Sequence, residues 1–300
     1  MPLVSACSFR PPAGTSDGGV EFDARELDAP PPVDALPLGP WKTPIRVNNI
    51  NSVQLDDDPS LTADMLEMYF ASNRGNASFV DEDLYVAKRD SLIDSFKPPT
   101  KIAELSQLNA LDSNVEISGD GRTITFTSSR SGNDELWIAD RPTRTDNWMN
   151  LRQLGELNSV GGEYGAVVTE LASGELEVVF CTSRDGNEQL YRAQKAPSDT
   201  MYSPPVAIEG VVNTADHECD GARPDEATLY FTRGAVAAPT KLDIFRARWN
   251  GTSYTDLEPV PELNTTGKDS DPWLSPDQRT IYFSRDIANN GNDEIYSSTR

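Results

Sequence analysis

The residues best suited to chemistry in this chain are carboxylates that recur at fixed distances from a repeated asparagine. Counting five on from Asn51, Asn109, Asn158, Asn213 and Asn264 reaches Asp56, Asn114, Glu163, Glu218 and Asp269; counting seven reaches Asp58, Glu116, Gly165, Asp220 and Asp271. Calcium takes six to eight oxygen ligands, so Asp58, Glu116, Asp220 and Asp271 form a candidate calcium set. Together with Glu163, Glu218 and His217 they form a wider candidate set for ligand binding, and no residue is given a catalytic role. A glycosidase would need two carboxylates about 5–9.5 Å apart, one carrying a proton and one ionised. The acids are plentiful, but only the cluster Asp216-His217-Glu218-Cys219-Asp220 stands apart from its repeat equivalents. His217 is the sole histidine, which excludes metal sites built from several histidines and leaves a Ser-His-Asp triad only that one His to use. A reading without any ligand also accounts for the acids: each caps a turn or pairs with an arginine and holds one repeat to the next.

The elements that must position these acids are strands. The stretch DPWLSPDQRTIYFSR (271–285) places a turn at Pro276 and Asp277 before an alternating run through Ile281 and Phe283, and this pattern predicts a half-buried strand. Related copies give aligned phenylalanines at Phe70, Phe126, Phe180, Phe231 and Phe283, spaced by 56, 54, 51 and 52 residues. Each leads to an arginine: Arg74, Arg130, Arg184, Arg233 and Arg285. Gly-Asn pairs follow four of them, which suits tight hairpins. Second strands come next at 83–89, 135–141, 189–195, 243–249 and 294–300, then a connection with a further aromatic at Phe96, Trp148, Tyr202 or Tyr254, and a short apolar strand. Four antiparallel strands per repeat make one propeller blade, and no copy shows a helical period. The chain stops after the third strand of its last copy, while Trp41, Val47 and Asn51 supply the missing aromatic, strand and asparagine. The expected fold is therefore all-β, a five-bladed propeller over residues 41–300 whose last blade is closed by an N-terminal strand.

The runs S-P-D-x-x-x-I-Y-F-S and S-R-x-G-N-x-E-L-Y resemble the WD-like repeat of TolB-type β-propellers. The resemblance covers Trp41 to Arg300, although those propellers typically have six blades and this chain has room for five. It implies a non-catalytic platform for proteins or ligands at the bacterial cell envelope, with no shared enzymatic activity. A glycoside hydrolase or glycan-binding propeller using funnel carboxylates is the alternative.

Composition narrows the partners. With 48 acidic against 26 basic residues the formal charge is −22, which disfavours nucleic acid and anionic membranes because phosphate binding needs a Lys/Arg surplus. A protein partner, or a neutral or cationic ligand, is expected, with the chain itself a monomer. No apolar run reaches the about 18 residues of a membrane span. Residues 1–40, rich in proline, read as a disordered tether. Val4-Ser5-Ala6-Cys7 resembles a lipobox, so Cys7 is a candidate lipidation site and an extracytoplasmic location follows if a signal peptide lies upstream. Cys181 reads as a small buried side chain and Cys219 as part of a polar connection, with pairing left open. The repeat arginines are expected to pair across their hairpins, Arg74 with Asp83, Arg130 with Glu135 and Arg285 with Glu294, in preference to facing the channel and binding an anion.

Overall fold

The computed structural model describes residues 38–75, 81–238 and 240–300. Cys7 and the expected tether up to residue 37 lie outside them, as does most of the loop 76–82. The alternating runs form strands that assemble into five four-stranded antiparallel sheets. β1 (Ile45–Arg46) stands alone at the start. Blade one is β2 (Asp56–Leu61), β3 (Glu67–Ser72), β4 (Asp83–Lys88) and β5 (Thr100–Lys101). Blade two is β6 (Asp112–Ile117), β7 (Thr123–Ser128), β8 (Glu135–Asp140) and β9 (Met149–Gln153). Blade three is β10 (Glu163–Glu170), β11 (Leu176–Thr182), β12 (Gln189–Lys195) and β13 (Val206–Ala207). Blade four is β14 (His217–Ala222), β15 (Thr228–Gly234), β16 (Asp243–Trp249) and β17 (Tyr254–Pro259). Blade five is β18 (Lys268–Leu274), β19 (Thr280–Asp286) and β20 (Glu294–Thr299), completed by β1. Ile45 lies opposite Ser297 and Arg46 opposite Tyr296, so the two ends of the domain share one blade and close the ring as expected.

Blade packing explains the aromatic repeat. Five apolar clusters each join two adjacent blades. The five aligned phenylalanines are fully buried in them, each worth about 1.5–3 kcal/mol of transfer free energy. The recurrent asparagine is a latch between blades. Asn51 accepts the Ile295 amide at 2.6 Å and donates to the Ile295 carbonyl at 2.9 Å, and Asn158, Asn213 and Asn264 do the same for Leu136, Leu190 and Ile244. In blade two Ser106 takes that place, accepting the Leu84 amide at 3.1 Å, and Asn109 does not.

Two expectations are corrected. The repeat arginines turn back over the phenylalanine and reach the first acid of their own blade's innermost strand. Arg130 meets Asp112 at 2.7 Å, Arg184 Glu163 at 3.4 Å, Arg233 Glu218 at 2.9 Å and Arg285 Asp269 at 2.5 Å, and Arg74 bonds Asp56. Each guanidinium also lies about 5 Å from the ring centre of its phenylalanine and of the aromatic opposite. The hairpin acids are engaged elsewhere: Asp83 with Lys101, Glu135 with Ser131 and Gln153, Glu294 with Arg46. Second, Cys219 lies within β14 and forms a disulfide with Cys181 of β11, tying blade three to blade four.

The two faces of the ring differ. On the upper face the first amide of each innermost strand donates to a carbonyl just ahead of the third strand in the preceding blade, as in Asp56 to Asp293 (3.0 Å) and Asp112 to Glu82 (3.1 Å). The lower face carries the turns between first and second strands. No helix among the described residues is long and apolar enough to cross a membrane.

Candidate acidic channel and upper rim

All five innermost strands slip register at one place, between Asp57 and Ser60, Ser113 and Glu116, Tyr164 and Val167, Cys219 and Ala222, and Ser270 and Trp273. The bulged residues are Asp58, Asn114, Gly165, Asp220 and Asp271, with φ from 46° to 55°. Asn, Asp and Gly are the residues that tolerate this left-handed conformation. The backbone thus explains why the position is drawn from these three types, and why blade three carries glycine there without losing the bulge.

Asp58, Asn114, Gly165, Asp220 and Asp271, together with Glu116, surround a void of about 20 Å³ at the middle of the channel, room for roughly one water-sized particle. Asn114 donates to Asp58 from its amide (2.6 Å) and side chain (3.2 Å). Thr232 donates to Asp220 at 2.6 Å, Ser270 to Asp271 at 2.8 Å and Ser60 to Glu116 at 2.8 Å. Burial, reinforced by Asp271 nearby, raises the Asp58 and Asp220 carboxyls well above their ordinary range, and Asp220 is hydrogen-bonded to Asp271. Burial pushes Glu116 up to about 8 against the lowering effect of its bond from Ser60. Below, the channel widens to a cavity of about 260 Å³.

Above the void lies a second acidic layer. Carboxylate oxygens of Asp57, Asp271 and Asp293 fall within 4.8 Å of one another. Lys268 donates to Asp293 at 2.5 Å, and against the lowering effect of its burial the three acids hold its ammonium pKa well above normal. The Lys268 ammonium therefore already supplies a positive charge to this trio. Burial raises Asp57 well above the carboxylate range and Glu82 to about 7. At the rim the His217 Nδ1 is 3.2 Å from the Glu188 carboxylate.

Of the residues singled out in the sequence, Asp58, Glu116, Asp220 and Asp271 come together around the void. Glu163 and Glu218 do not: both are fully buried within their blades, where Arg184 and Arg233 and the hydroxyls of Ser159 and Thr214 satisfy them. Counting from Asn109 runs two residues late in blade two, because the latch is Ser106, three residues earlier, and the link from it to the innermost strand is one residue longer than in the other blades. The true equivalents of Asp56 and Asp58 are Asp112 and Asn114, each in the matching bond and bulge. Asp57, Glu82, Lys268 and Asp293 escaped sequence reasoning, since no repeat spacing marks them; the run Asp56-Asp57-Asp58 was the available signal.

Around the acidic mouth, equivalent residues of three successive upper connections expose apolar side chains: Val53 at 93%, Leu108 at 78% and Val160 at 99%. Val236 and Ile287 are also exposed, on the upper hairpins of blades four and five.

No family model matches the chain, and no curated protein matches it in sequence. Solved structures do. The chain is similar to a thermostable family-43 glycoside hydrolase (TM-score 0.59, 11% identity, 85% of this chain and 91% of that one). It is similar to an endo-arabinase from Bacteroides thetaiotaomicron VPI-5482 (0.55, 14%, 86% and 97%). It is also similar to TolB from Acinetobacter baumannii (0.54, 14%), with 84% of this chain covering only 56% of that one. At these identities the likeness shows a shared propeller fold.

Proposed function

We propose that this chain is a non-catalytic, TolB-like binding propeller of the cell envelope, whose upper face docks a cationic, partly apolar segment of a protein partner. The observation that carries this reading is the pairing of an acidic mouth with exposed Val53, Leu108 and Val160 at equivalent rim positions. Solvent-facing apolar groups of this kind around a charged centre are the make-up of an interaction surface, and the negative field attracts a positive partner at the encounter stage. The disulfide between Cys181 and Cys219 supports a location outside the cytoplasm, since such bridges persist in oxidising compartments. The test is titration with a labelled peptide of alternating lysine and leucine, beside its glutamate counterpart. Binding of the lysine peptide that weakens at least about tenfold in the neutral Val160→Ser and with added salt supports the reading; equal affinity for both peptides counts against it.

The void supports a second ligand at the same axis. Asp58, Glu116, Asp220 and Asp271 would hold a hard cation such as calcium, with Asn114 as a further oxygen donor. Calorimetry with calcium and with chelator tests it. The glycosidase alternative is less well served by this centre, because a void about the size of one water admits no sugar ring between the acids.

A further inference from the structure

One blade junction lacks the seal that the repeat builds elsewhere. The residue after the third strand lies over the aromatic of the next connection: Arg89 over Phe96 (4.5 Å), Arg141 over Trp148 (4.2 Å) and Arg300 over Trp41 (4.2 Å). In the preceding blade it faces the residue just before the buried phenylalanine. Arg141 donates to the Tyr69 hydroxyl at 2.7 Å and Arg89 to Tyr282 at 3.4 Å. Blade four also carries a tyrosine there, Tyr230, and blade three carries Val179, where Trp249 and Arg192 stack at 5.1 Å. Blade two instead carries Thr125, and the facing residue is Lys195, 5.1 Å from the Tyr202 ring centre. Where the tyrosine is missing, a cleft of about 560 Å³ opens between blades two and three.

The floor of the cleft is one cross-strand row spanning the whole blade: Glu116, Thr125, Ile138 and Arg152 lie opposite one another in register. At about 4.8 Å per strand it is about 14 Å long. Val167, Val168 and Leu176 of blade three form the facing wall. Charge is graded along the slot. Glu116 and Glu170 stand on the innermost strands, with Asp120 in the turn after β6, where Arg122 pairs with it at 3.0 Å; Arg152 and Lys195 stand at its outer end, and neither makes an ion pair among the described residues. Asp140, on the third strand, accepts a bond from Asn150 at 2.8 Å.

We propose that this cleft binds a small hydroxyaryl carboxylate. Its ring occupies the space that tyrosine fills in other blades, against Ile138, Val167 and Val168; its carboxylate lies between Arg152 and Lys195; its hydroxyl points toward Glu116. The size falls in the range of small-molecule sites, and a flat ring with one anionic end matches a slot that is apolar in the middle and cationic outside.

Titration calorimetry with 4-hydroxycinnamate and with its primary amide tests the assignment. Saturable binding of the acid is expected, at least about tenfold tighter than the amide. Thr125→Tyr, which introduces the tyrosine that blades one, four and five carry at this place, should abolish binding while circular dichroism shows an intact fold. The exposed Arg152→Ala should weaken binding about tenfold. Should Thr125→Tyr not fold, Ile138→Trp serves as the second filling variant. Absence of saturable binding, equal affinity for acid and amide, or binding unaffected by a folded filling variant would overturn the proposal. The channel variant Asp271→Asn must retain binding; loss there would mean that the probe sits in the channel.

Discussion

Replacing Glu116 by glutamine should flatten the pH dependence of stability in a calculable way. The Glu116 carboxyl rises from an ordinary 4.5 to about 8, chiefly because burial disfavours its charged form. A raised carboxyl binds its proton more tightly folded than unfolded. Its contribution is therefore fully present below about pH 4.5 and is lost as the pH climbs through about 8. At about 1.4 kcal/mol per unit the ceiling is about 5 kcal/mol, and a side chain partly open to the cleft should deliver about 2–4 kcal/mol. Glutamine keeps the acceptor for the Ser60 hydroxyl and cannot ionise. Urea unfolding with chelator at about pH 5 and about pH 8 gives the loss for each protein. The variant should lose about 2–4 kcal/mol less than the parent, the remainder coming from Asp57, Asp58, Asp220 and Glu82, which are raised in the same sense. Equal losses in the two proteins would refute the claim that the channel holds Glu116 protonated.

Other outcomes follow from the same geometry. Phe126→Ala or Phe283→Ala, both fully buried between blades, should cost about 3–5 kcal/mol in urea titration. Reducing the Cys181–Cys219 bridge, which closes 38 residues, should cost about 4 kcal/mol on the chain-entropy account and lower the melting temperature by about 10 °C. Deleting residues 41–51 removes β1 and the Trp41 stack on Arg300; hydrogen exchange should then rise first in β20 and β19. Asp271→Asn should stabilise the calcium-free protein by relieving repulsion, and should abolish any calcium-induced rise in melting temperature.

Much of the fold was legible because its determinants are local and repeated. The phenylalanine spacing, the alternating runs and the asparagine latch each mark one element of a blade, and Trp41, Val47 and Asn51 announced the closure that β1 makes with β20. The site was harder. Arg74, Arg130 and Arg285 were assigned to sequence-near hairpin acids, whereas the side chain folds back across the sheet to an acid 16 or 18 residues earlier. Asn109 imitated the latch that Ser106 supplies, and the count in blade two slipped by two residues. Glu116 nevertheless falls beside the void, since the row below the bulge faces the channel as well as the cleft. The disulfide and the Lys268 network depend on which side chains of different blades meet, and no spacing within one copy records that; Thr125 is visible as the residue before Phe126, but the cleft above it depends on Val167, Val168 and Lys195 of the next blade.

The claim that the upper face is the docking surface is tested most directly by photo-crosslinking in cells. A photoreactive residue would be placed at Val53, Leu108 or Val160 on the rim, and at Asp120, Ser173 or Glu226 on the lower turns. The account predicts a discrete adduct, common to the rim positions and absent from the lower ones. Adducts from the lower turns with none from the rim would contradict it.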